Sequence, residues 1–299
     1  MHSDQWDLVL RSIDMLFDDP DYRPNKSMLG ILNLIPSQDQ REKRLNIFFE
    51  KLQEKLIFLN PEVVSCYLAV IFIRKDFNQI PALFDIYGKF LDEISYEFYS
   101  RWLKIYRNEI QTFNRFTCIS LSKMGTTSLN VFMNRAGLFS AHFINPVTQS
   151  LLDPDDIKVF DFVCDTTAVF FTRKNLVEYQ KIIFINRVYE DWEKSFLHHF
   201  SLELSCLKCF DEQKRVFYSS VDALEKSKWY EVHHELYFRF ATLRDAYNYQ
   251  QKWALRLSET LGPDLLLIDL YSKDVDLQLS NFVCIQNRLN FPKGNITNY

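Results

Sequence analysis

The sequence predicts an α/β protein in which an all-helical N-terminal region precedes a parallel sheet flanked by helices. Two observations lead to this fold class. Up to about residue 112, apolar residues recur at the three- to four-residue spacing of amphipathic helices. From residue 116 onward, short apolar runs alternate with helical stretches, which is typical of βαβ units. We therefore expect two domains, residues 1–112 and residues 113–299.

The composition is that of a folded, helix-rich protein. Hydrophobic residues make up 47% of the 299 positions, and Gly occurs only 6 times against 27 Phe and 15 Tyr. Such a chain has enough apolar side chains for a large core. The net charge of −4 argues against a general nucleic-acid binder. No signal peptide and no apolar run of membrane-spanning length is visible, so we expect a cytoplasmic protein with reduced cysteines.

The N-terminal region contains several predicted helices. Apolar stripes at helical spacing cover 6–17 and 40–59, and Pro61 and Pro81 each suit the first turn of a further helix. A last helix is expected to lead into the first strand of the sheet. The segment 18–26, with two prolines and three acidic residues, is the most linker-like stretch of this region. The pattern fits a small helical bundle or a degenerate helical repeat, and the repeat is the minor alternative because no fixed-period self-similarity is visible.

The second region alternates between strands and helices. The predicted strands are 116–121, 138–143, 158–164, 181–186 and 264–269, and the predicted helices are 126–136, 173–180, 188–205 and 232–261. In parallel sheets, ligands bind at the carboxyl ends of the strands. Lys123, His142, Asp165 and Arg187 all lie at or just beyond those ends. We expect one cleft to gather them.

The stretch from Phe116 to Val131 has the pattern of an anion site. A buried strand is followed by a turn with Lys123 and Gly125, and a helix then opens on Thr126, Thr127 and Ser128. Free amides at a helix N-terminus and the positive end of the helix dipole favour a bound phosphate. Lys123 adds charge, Gly125 permits close approach and the hydroxyls add donors. A P-loop kinase is a further option, but the absence of G-K-[ST] argues strongly against it.

A second pair of residues follows the fourth predicted strand. Arg187 comes directly after that strand, and Ser195 lies eight residues later, about two turns along the next helix. A guanidinium and a hydroxyl so placed can bind one phosphate together. Taken alone, this pair is an ordinary helix start. In a chain that also carries S-K-M-G-T-T-S-L, the spacing favours a second phosphate site.

Together these motifs resemble those of sulfotransferases that use 3′-phosphoadenosine 5′-phosphosulfate (PAPS). The usual loop of that family is P-K-x-G-T-T-[WS]-L, and the stretch KMGTTSLNVFMNRAGLFSAHF is similar to its bacterial-type branch. The similarity covers about 113–296 and none of the N-terminal helices. Ser122 and Thr167 replace prolines that are usual in the family. The glycine-rich 3′-phosphate segment of the phenol and steroid enzymes is also missing.

The resemblance implies a P-loop-type sheet and a set of site residues. Lys123, Gly125, Thr126, Thr127 and Ser128 would bind the 5′-phosphate side of PAPS, with Lys123 also catalytic. Arg187 and Ser195 would bind its 3′-phosphate. No metal is implied. His142 is the first candidate for the general base that activates the acceptor, and Asp165 is the second.

The acceptor and the partners are less defined. The resemblance implies a hydroxyl or amine of a carbohydrate or small molecule, with residues 229–239 on the acceptor side. We expect no nucleic-acid partner and no membrane span, and the oligomeric state is not indicated. His198, His199, His233 and His234 are assigned no chemistry. The lone C-x-x-C of Cys206 and Cys209 does not predict a metal site.

One alternative remains open from the sequence. The chain could keep the sulfotransferase fold without catalysis, as a nucleotide-binding or scaffold protein that acts through its N-terminal helices. The retained Lys123 favours the enzyme, because a protein that only binds does not need a cation at the reacting group.

Overall fold

A computed structural model describes residues 3–35, 37–175, 181–203, 209–219, 228–285 and 289–292. The chain divides into two compact units. The first unit is helical and contains residues 1–111 together with the later segment Ile144–Ser150. The second contains 112–143, most of 151–221 and the chain from Lys228 onward. The division close to residue 112 thus lies where the sequence pattern changes, and the segment 144–150 belongs with the helices that precede it.

The part of the helical unit that the structure describes contains six α-helices. They are α1 (Ser3–Asp18), α2 (Lys26–Asn33), α3 (Gln38–Lys55), α4 (Pro61–Ile73), α5 (Ile80–Tyr87) and α6 (Glu93–Tyr106). Polar side chains begin several of them. Asn25, Ser37, Asn60 and Asp92 each accept a hydrogen bond from an amide of the first turn, which satisfies donors that the helix itself leaves unpaired.

Helix α4 is the centre of the helical unit. Every residue from Val63 to Phe72 is buried, and a helix that is apolar on all sides belongs inside a core. Phe72 makes edge-on contacts with Phe98 and Trp102 of α6. These ring contacts and the buried Leu52 and Phe48 of α3 form one apolar interior.

The second unit is built on a five-stranded parallel sheet. Its strands are β1 (Phe116–Cys118), β2 (Ser140–His142), β3 (Phe162–Cys164), β4 (Lys181–Asn186) and β5 (Leu265–Asp269), in the order β2-β3-β1-β4-β5. All neighbouring pairs are parallel, with Phe116 beside Phe162 on one side and beside Lys181 on the other. The structure confirms the predicted parallel sheet flanked by helices.

In the part of the chain that the structure describes, eight α-helices flank this sheet. They are α7 (Thr126–Arg135), α8 (Pro154–Ile157), α9 (Thr166–Arg173), α10 (Tyr189–Glu203), α11 (Phe210–Ser219), α12 (Lys228–His233), α13 (Leu243–Leu261) and α14 (Val275–Phe282). One turn of π-helix, His234–Phe238, directly follows α12. Apolar side chains of β1, β3, β4 and β5 form one core with α7 and α14. Other side chains of β4 and β5 form a second core with Ile119 and with Ala254 of α13.

Two predicted helices differ from the observed ones. The helix expected over 173–180 is replaced by α9 at Thr166–Arg173, which begins where the Asp165 side chain accepts from the Thr166 amide; residues 176–180 lie outside the described part. The single helix expected over 232–261 is broken. Thr242 and Asp245 form a reciprocal capping box that starts α13 afresh.

The described helices include none that is both long enough and apolar enough to cross a membrane.

Candidate functional site

The candidate site lies at the carboxyl end of the central strand. β1 ends at Cys118, a loop runs over 119–125, and α7 begins at Thr126. The chain continues from β1 to the far edge strand β2, whereas the neighbouring strand β4 leads to β5 at the opposite edge. Such a point of divergence is where open parallel sheets bind their ligands.

Gly125 is required at the end of this loop. Its φ of +95° lies in the left-handed region, and a Cβ there would come 2.7 Å from Leu270 Cδ1. A side chain at this position would therefore be strained by its backbone and crowded by Leu270. Because the N-cap residue is a glycine, α7 has no side-chain cap, and its first-turn amides are left to bind a ligand or water.

Lys123 and Arg187 meet at this loop. Lys123 is half-buried and has a φ of +68°. Its carbonyl oxygen accepts a hydrogen bond of 2.7 Å from Nη1 of Arg187, the residue that follows β4. Two cationic side chains from separate strands thus belong to one end of the sheet. An anion bound at the start of α7 would be attracted by both.

Arg187 has a further contact that the sequence did not predict. Its Nε donates to the hydroxyl of Tyr271 at 3.2 Å, and that hydroxyl donates to Asp191 Oδ2 at 2.9 Å. The Arg187 carbonyl accepts from the hydroxyl of Tyr247 at 2.9 Å. Ser195 lies half-buried on α10, and within the described chain no hydrogen bond joins it to Arg187. The structure therefore holds the arginine through the two tyrosines instead.

His142 and Asp165 form a close pair beside the start of α7. His142 ends β2, and Cys164, the neighbour of His142 in the sheet, precedes Asp165. His142 Nε2 lies 2.9 Å from Asp165 Oδ2. The Thr126 hydroxyl donates to the same carboxylate oxygen at 2.8 Å and lies 3.1 Å from His142 Nε2. The strand ends thus bring together three predicted site residues.

The Asp165 carboxylate is held in its ionised form. Burial by itself would raise its pKa, but interaction with the His142 imidazole and hydrogen bonds from His142, the Thr166 amide and the Thr126 hydroxyl outweigh it. The pKa of Asp165 therefore lies well below its usual range. Asp165 also has a φ of +77°, an uncommon conformation for a residue with a side chain, and such outliers concentrate at functional sites.

This electrostatic arrangement decides how His142 can act. An ionised carboxylate only accepts hydrogen bonds, so His142 Nε2 carries a proton toward Asp165. In the neutral imidazole, Nδ1 is then the basic nitrogen. With its low pKa, Asp165 is itself a weak base. Of the two predicted candidates for the general base, the geometry favours His142, and Asp165 fixes the orientation and tautomer of His142.

The hydroxyl residues of α7 divide into two groups. The Thr126 hydroxyl is occupied by Asp165, so it is not available as a phosphate donor in this structure. Thr127 Oγ1 lies 3.4 Å from His142 Nε2, and Ser128 is half-buried on the same turn. The donors left for an anion are therefore Thr127, Ser128 and the first-turn amides.

The remaining positions are the histidines and the C-x-x-C cysteines to which the sequence assigned no chemistry. His233 is buried, stacks on Trp229 with ring centroids 4.2 Å apart, and contacts the Trp229 carbonyl through Nδ1 at 2.7 Å. His198 is exposed and His199 half-buried on α10. Cys209 is exposed, and Cys206 lies outside the described residues. Nowhere in the described chain do three or more His, Cys, Asp or Glu side chains form a group suited to a metal ion.

The sequence was compared with known proteins: no family model matches it, and no curated protein gives a significant match.

Proposed function

We propose that this chain is a PAPS-dependent sulfotransferase that transfers a sulfuryl group to a hydroxyl or amine. The observation that carries the proposal is the contact between the two motifs. The Arg187 guanidinium donates to the Lys123 carbonyl at 2.7 Å, so the lysine loop and the arginine after β4 form one cationic site. That site lies at an uncapped helix N-terminus, which suits a donor with two separate phosphate groups.

The residues present fit such a donor. Gly125 adopts a left-handed φ of +95° at the entrance to α7 and carries no side chain that could obstruct a bound phosphate. Lys123, Thr127, Ser128 and the first-turn amides would hold the 5′ side of PAPS. Arg187 would hold the 3′-phosphate. When bound, the donor supplies an activated sulfuryl group, and Lys123 neutralises negative charge next to it.

His142 would take the proton from the acceptor. Its Nε2 is engaged by Asp165 at 2.9 Å, so Nδ1 is the nitrogen that accepts the proton from the acceptor hydroxyl or amine. The positive charge that develops on the imidazole is stabilised by the ionised Asp165 carboxylate. Asp165 thus serves as an orienting and stabilising group, as the buried aspartate does in hydrolase triads.

The first experiment measures binding of 3′-phosphoadenosine 5′-phosphate, the spent donor, by isothermal titration calorimetry. We expect micromolar affinity for the wild type and a loss of roughly tenfold or more in Lys123→Ala and in Arg187→Ala, since each removes a charge-assisted contact. Lys158→Ala and Arg256→Ala are the matched controls. Both side chains are exposed and lie away from the loop, on the turn before β3 and on α13.

The outcomes separate the two readings of the chain. If the wild type binds and the two site variants do not, a screen of acceptors with PAPS follows. If the wild type fails to bind at high protein concentration, the enzyme proposal is wrong, and the non-catalytic alternative acting through α1–α6 takes its place. Equal losses in the control variants would show a nonspecific charge effect and also contradict the proposed site.

A further inference from the structure

Ser122, the residue before the loop lysine, is held by two buried aromatic side chains. Its backbone amide donates to the Tyr237 hydroxyl at 3.0 Å, and its carbonyl accepts from the indole Nε1 of Trp192 at 2.8 Å. Tyr237 and Trp192 are fully buried, and Ser122 is 8% exposed. Both polar groups of one peptide position are thus satisfied by side chains from other elements.

The next residue needs this support. Lys123 has a φ of +68°, and the left-handed region costs a residue with a Cβ about 1 kcal/mol or more. Contacts from the surrounding structure must keep it there. Hydrogen bonds hold the backbone of both residues: the Ser122 amide donates to Tyr237, the Ser122 carbonyl accepts from Trp192, and the Lys123 carbonyl accepts from Arg187. Together they fix the backbone from which the Lys123 side chain extends.

Tyr237, whose hydroxyl contacts the loop, lies in the π-helix. Tyr237 lies within His234–Phe238, where the wider turn follows α12 directly. The Tyr237 ring packs on Phe196 of α10 with centroids 4.8 Å apart, and Trp192 also packs on Phe196 at 5.4 Å. The two residues that bond Ser122 are therefore part of one aromatic cluster. Single π turns are rare and often occur at functional sites.

A residue other than proline is required at position 122 for this arrangement. Proline has no amide hydrogen, so a proline there could not donate to Tyr237. Any other residue type keeps the amide. This loop lacks the rigidity that a proline would give it. The hydrogen bond from the Ser122 amide to the buried Tyr237 hydroxyl restrains the loop backbone instead.

We propose that Tyr237 is a positioning residue for Lys123, acting through the Ser122 amide from the π-helix. The restraint itself is independent of the ligand, and its consequence for donor binding rests on the proposed function. Tyr237 does not contact the reacting groups in this account. Its hydroxyl sets the loop backbone, and the loop backbone sets where the lysine charge lies.

The test is amide hydrogen exchange of the loop in the full-length Tyr237→Phe variant. Phenylalanine keeps the buried ring and removes only the hydroxyl. We expect the Ser122 amide to exchange roughly five- to tenfold faster than in the wild type, relative to the amides of β4, because a hydrogen bond of ordinary strength is lost. An unchanged ratio of loop to β4 exchange would overturn the proposal.

Two controls isolate the effect. Tyr218→Phe removes another tyrosine hydroxyl that bonds to the same π-helix, at the Phe238 carbonyl (2.9 Å), but does not touch Ser122. Ser122→Ala keeps the backbone amide and removes only the hydroxyl of the side chain. We expect both to leave the relative exchange of residue 122 at the wild-type value. Faster exchange in both controls would contradict a specific bond to Tyr237.

Titration of the same variants with 3′-phosphoadenosine 5′-phosphate then tests the functional consequence. We expect Tyr237→Phe to bind roughly fivefold more weakly and Tyr218→Phe to bind as the wild type does. Faster loop exchange with unchanged affinity would overturn the positioning role and leave the donor site intact. If the wild type itself does not bind, the proposed function fails, and the exchange result still decides whether Tyr237 restrains the loop.

Discussion

At the residue scale, Asp165 carries out several tasks with one carboxylate. It accepts from the Thr166 amide that begins α9, from the Thr126 hydroxyl that begins α7 and from the His142 ring. Two helix starts and one ring orientation therefore depend on a single ionised group. Removing its charge affects each of these contacts, because a neutral amide accepts more weakly and also presents donors.

We expect Asp165→Asn to change the tautomer of His142. In the wild type, long-range proton–nitrogen NMR spectra should show His142 protonated at Nε2, the nitrogen that faces Asp165. The asparagine amide no longer selects that tautomer, so the Nδ1-protonated form should become populated. Asp155→Asn, a change at an exposed carboxylate on α8, is the control. Identical His142 spectra in Asp165→Asn and wild type would contradict the assigned roles.

Residues that belong to local motifs could be predicted from the sequence, and those that act from a distance could not. Lys123, Gly125 and Thr126 lie within one strand–turn–helix pattern, so their spacing alone marks them. Tyr237 contacts a residue 115 positions earlier, and Tyr271 contacts one 84 positions earlier. No periodicity links such pairs, because the order of the strands and a π-helix bring them together.

At the element scale, the start of α7 depends on the absence of a side chain at Gly125. We expect Gly125→Ala to reduce the free energy of unfolding by about 1–3 kcal/mol, through its left-handed φ and its contact with Leu270. Gly137→Ala is the matched control, since its φ of +79° is similar but no atom lies within 4 Å of the added Cβ. Chemical denaturation measures both.

The difference between the two glycine variants gives the cost of crowding at the loop. It should shrink when Leu270→Ala is added to Gly125→Ala, because the closest atom, Leu270 Cδ1, is then gone. Equal destabilisation at both glycines would mean that Leu270 moves aside freely. The close approach of the backbone at Gly125 would then carry no structural requirement beyond its φ.

The starts of some helices depend on capping side chains, which the hydrophobic pattern does not reveal. The apolar pattern over 232–261 continues through the break, and the signal for the new start is Thr242 with Asp245 three residues later. Likewise Asn25 is the N-cap of α2, and its side chain accepts from the Met28 amide, although Asn25 lies in the segment 18–26 that the composition marks as linker-like. The positions of all five strands, in contrast, were predicted because buried strands are continuous apolar runs.

At the scale of the whole molecule, each unit contains a carboxylate that the fold keeps ionised. In the sheet unit this is Asp165, and in the helical unit it is Asp92, which accepts from Lys26 Nζ at 2.8 Å, from Ser65 Oγ at 2.6 Å and from the Ser95 amide. Burial acts to raise the pKa of Asp92, but these contacts lower it from 3.8 to about 2. Both units therefore become less stable in acid.

We expect the free energy of unfolding to fall between about pH 5 and pH 2. The unfolded chain binds a proton at Asp92 near its ordinary pKa of about 3.9, whereas the folded chain binds it only near 2, so this stabilisation is complete above that range and is lost as the pH falls. In Asp92→Asn, the loss of free energy of unfolding across this pH range should be smaller than in the wild type by about 1 kcal/mol, after allowance for solvent screening. Denaturant titrations across this range measure it.

Asp85→Asn provides the comparison for the acid experiment. Asp85 is exposed on α5, so its replacement removes the same formal charge without the buried contacts. Its curve should keep the wild-type shape. If Asp92→Asn also keeps that shape, the contacts of Asp92 do not contribute to acid stability.

The segment Ile144–Ser150, which belongs to the helical unit, has a consequence for synthesis of the chain. Asn33 donates to the Thr148 carbonyl at 2.8 Å, and Asn145 and Val147 are fully buried. The helices of residues 1–111 therefore emerge from the ribosome before residues 144–150, which belong to the same unit. At about 5–20 residues per second, translation of residues 112–150 takes roughly 2–8 s. During that interval the nascent helices lack their contacts with residues 144–150. β1 and β2 have been synthesised by its end, but β3, which lies between them in the sheet, has not.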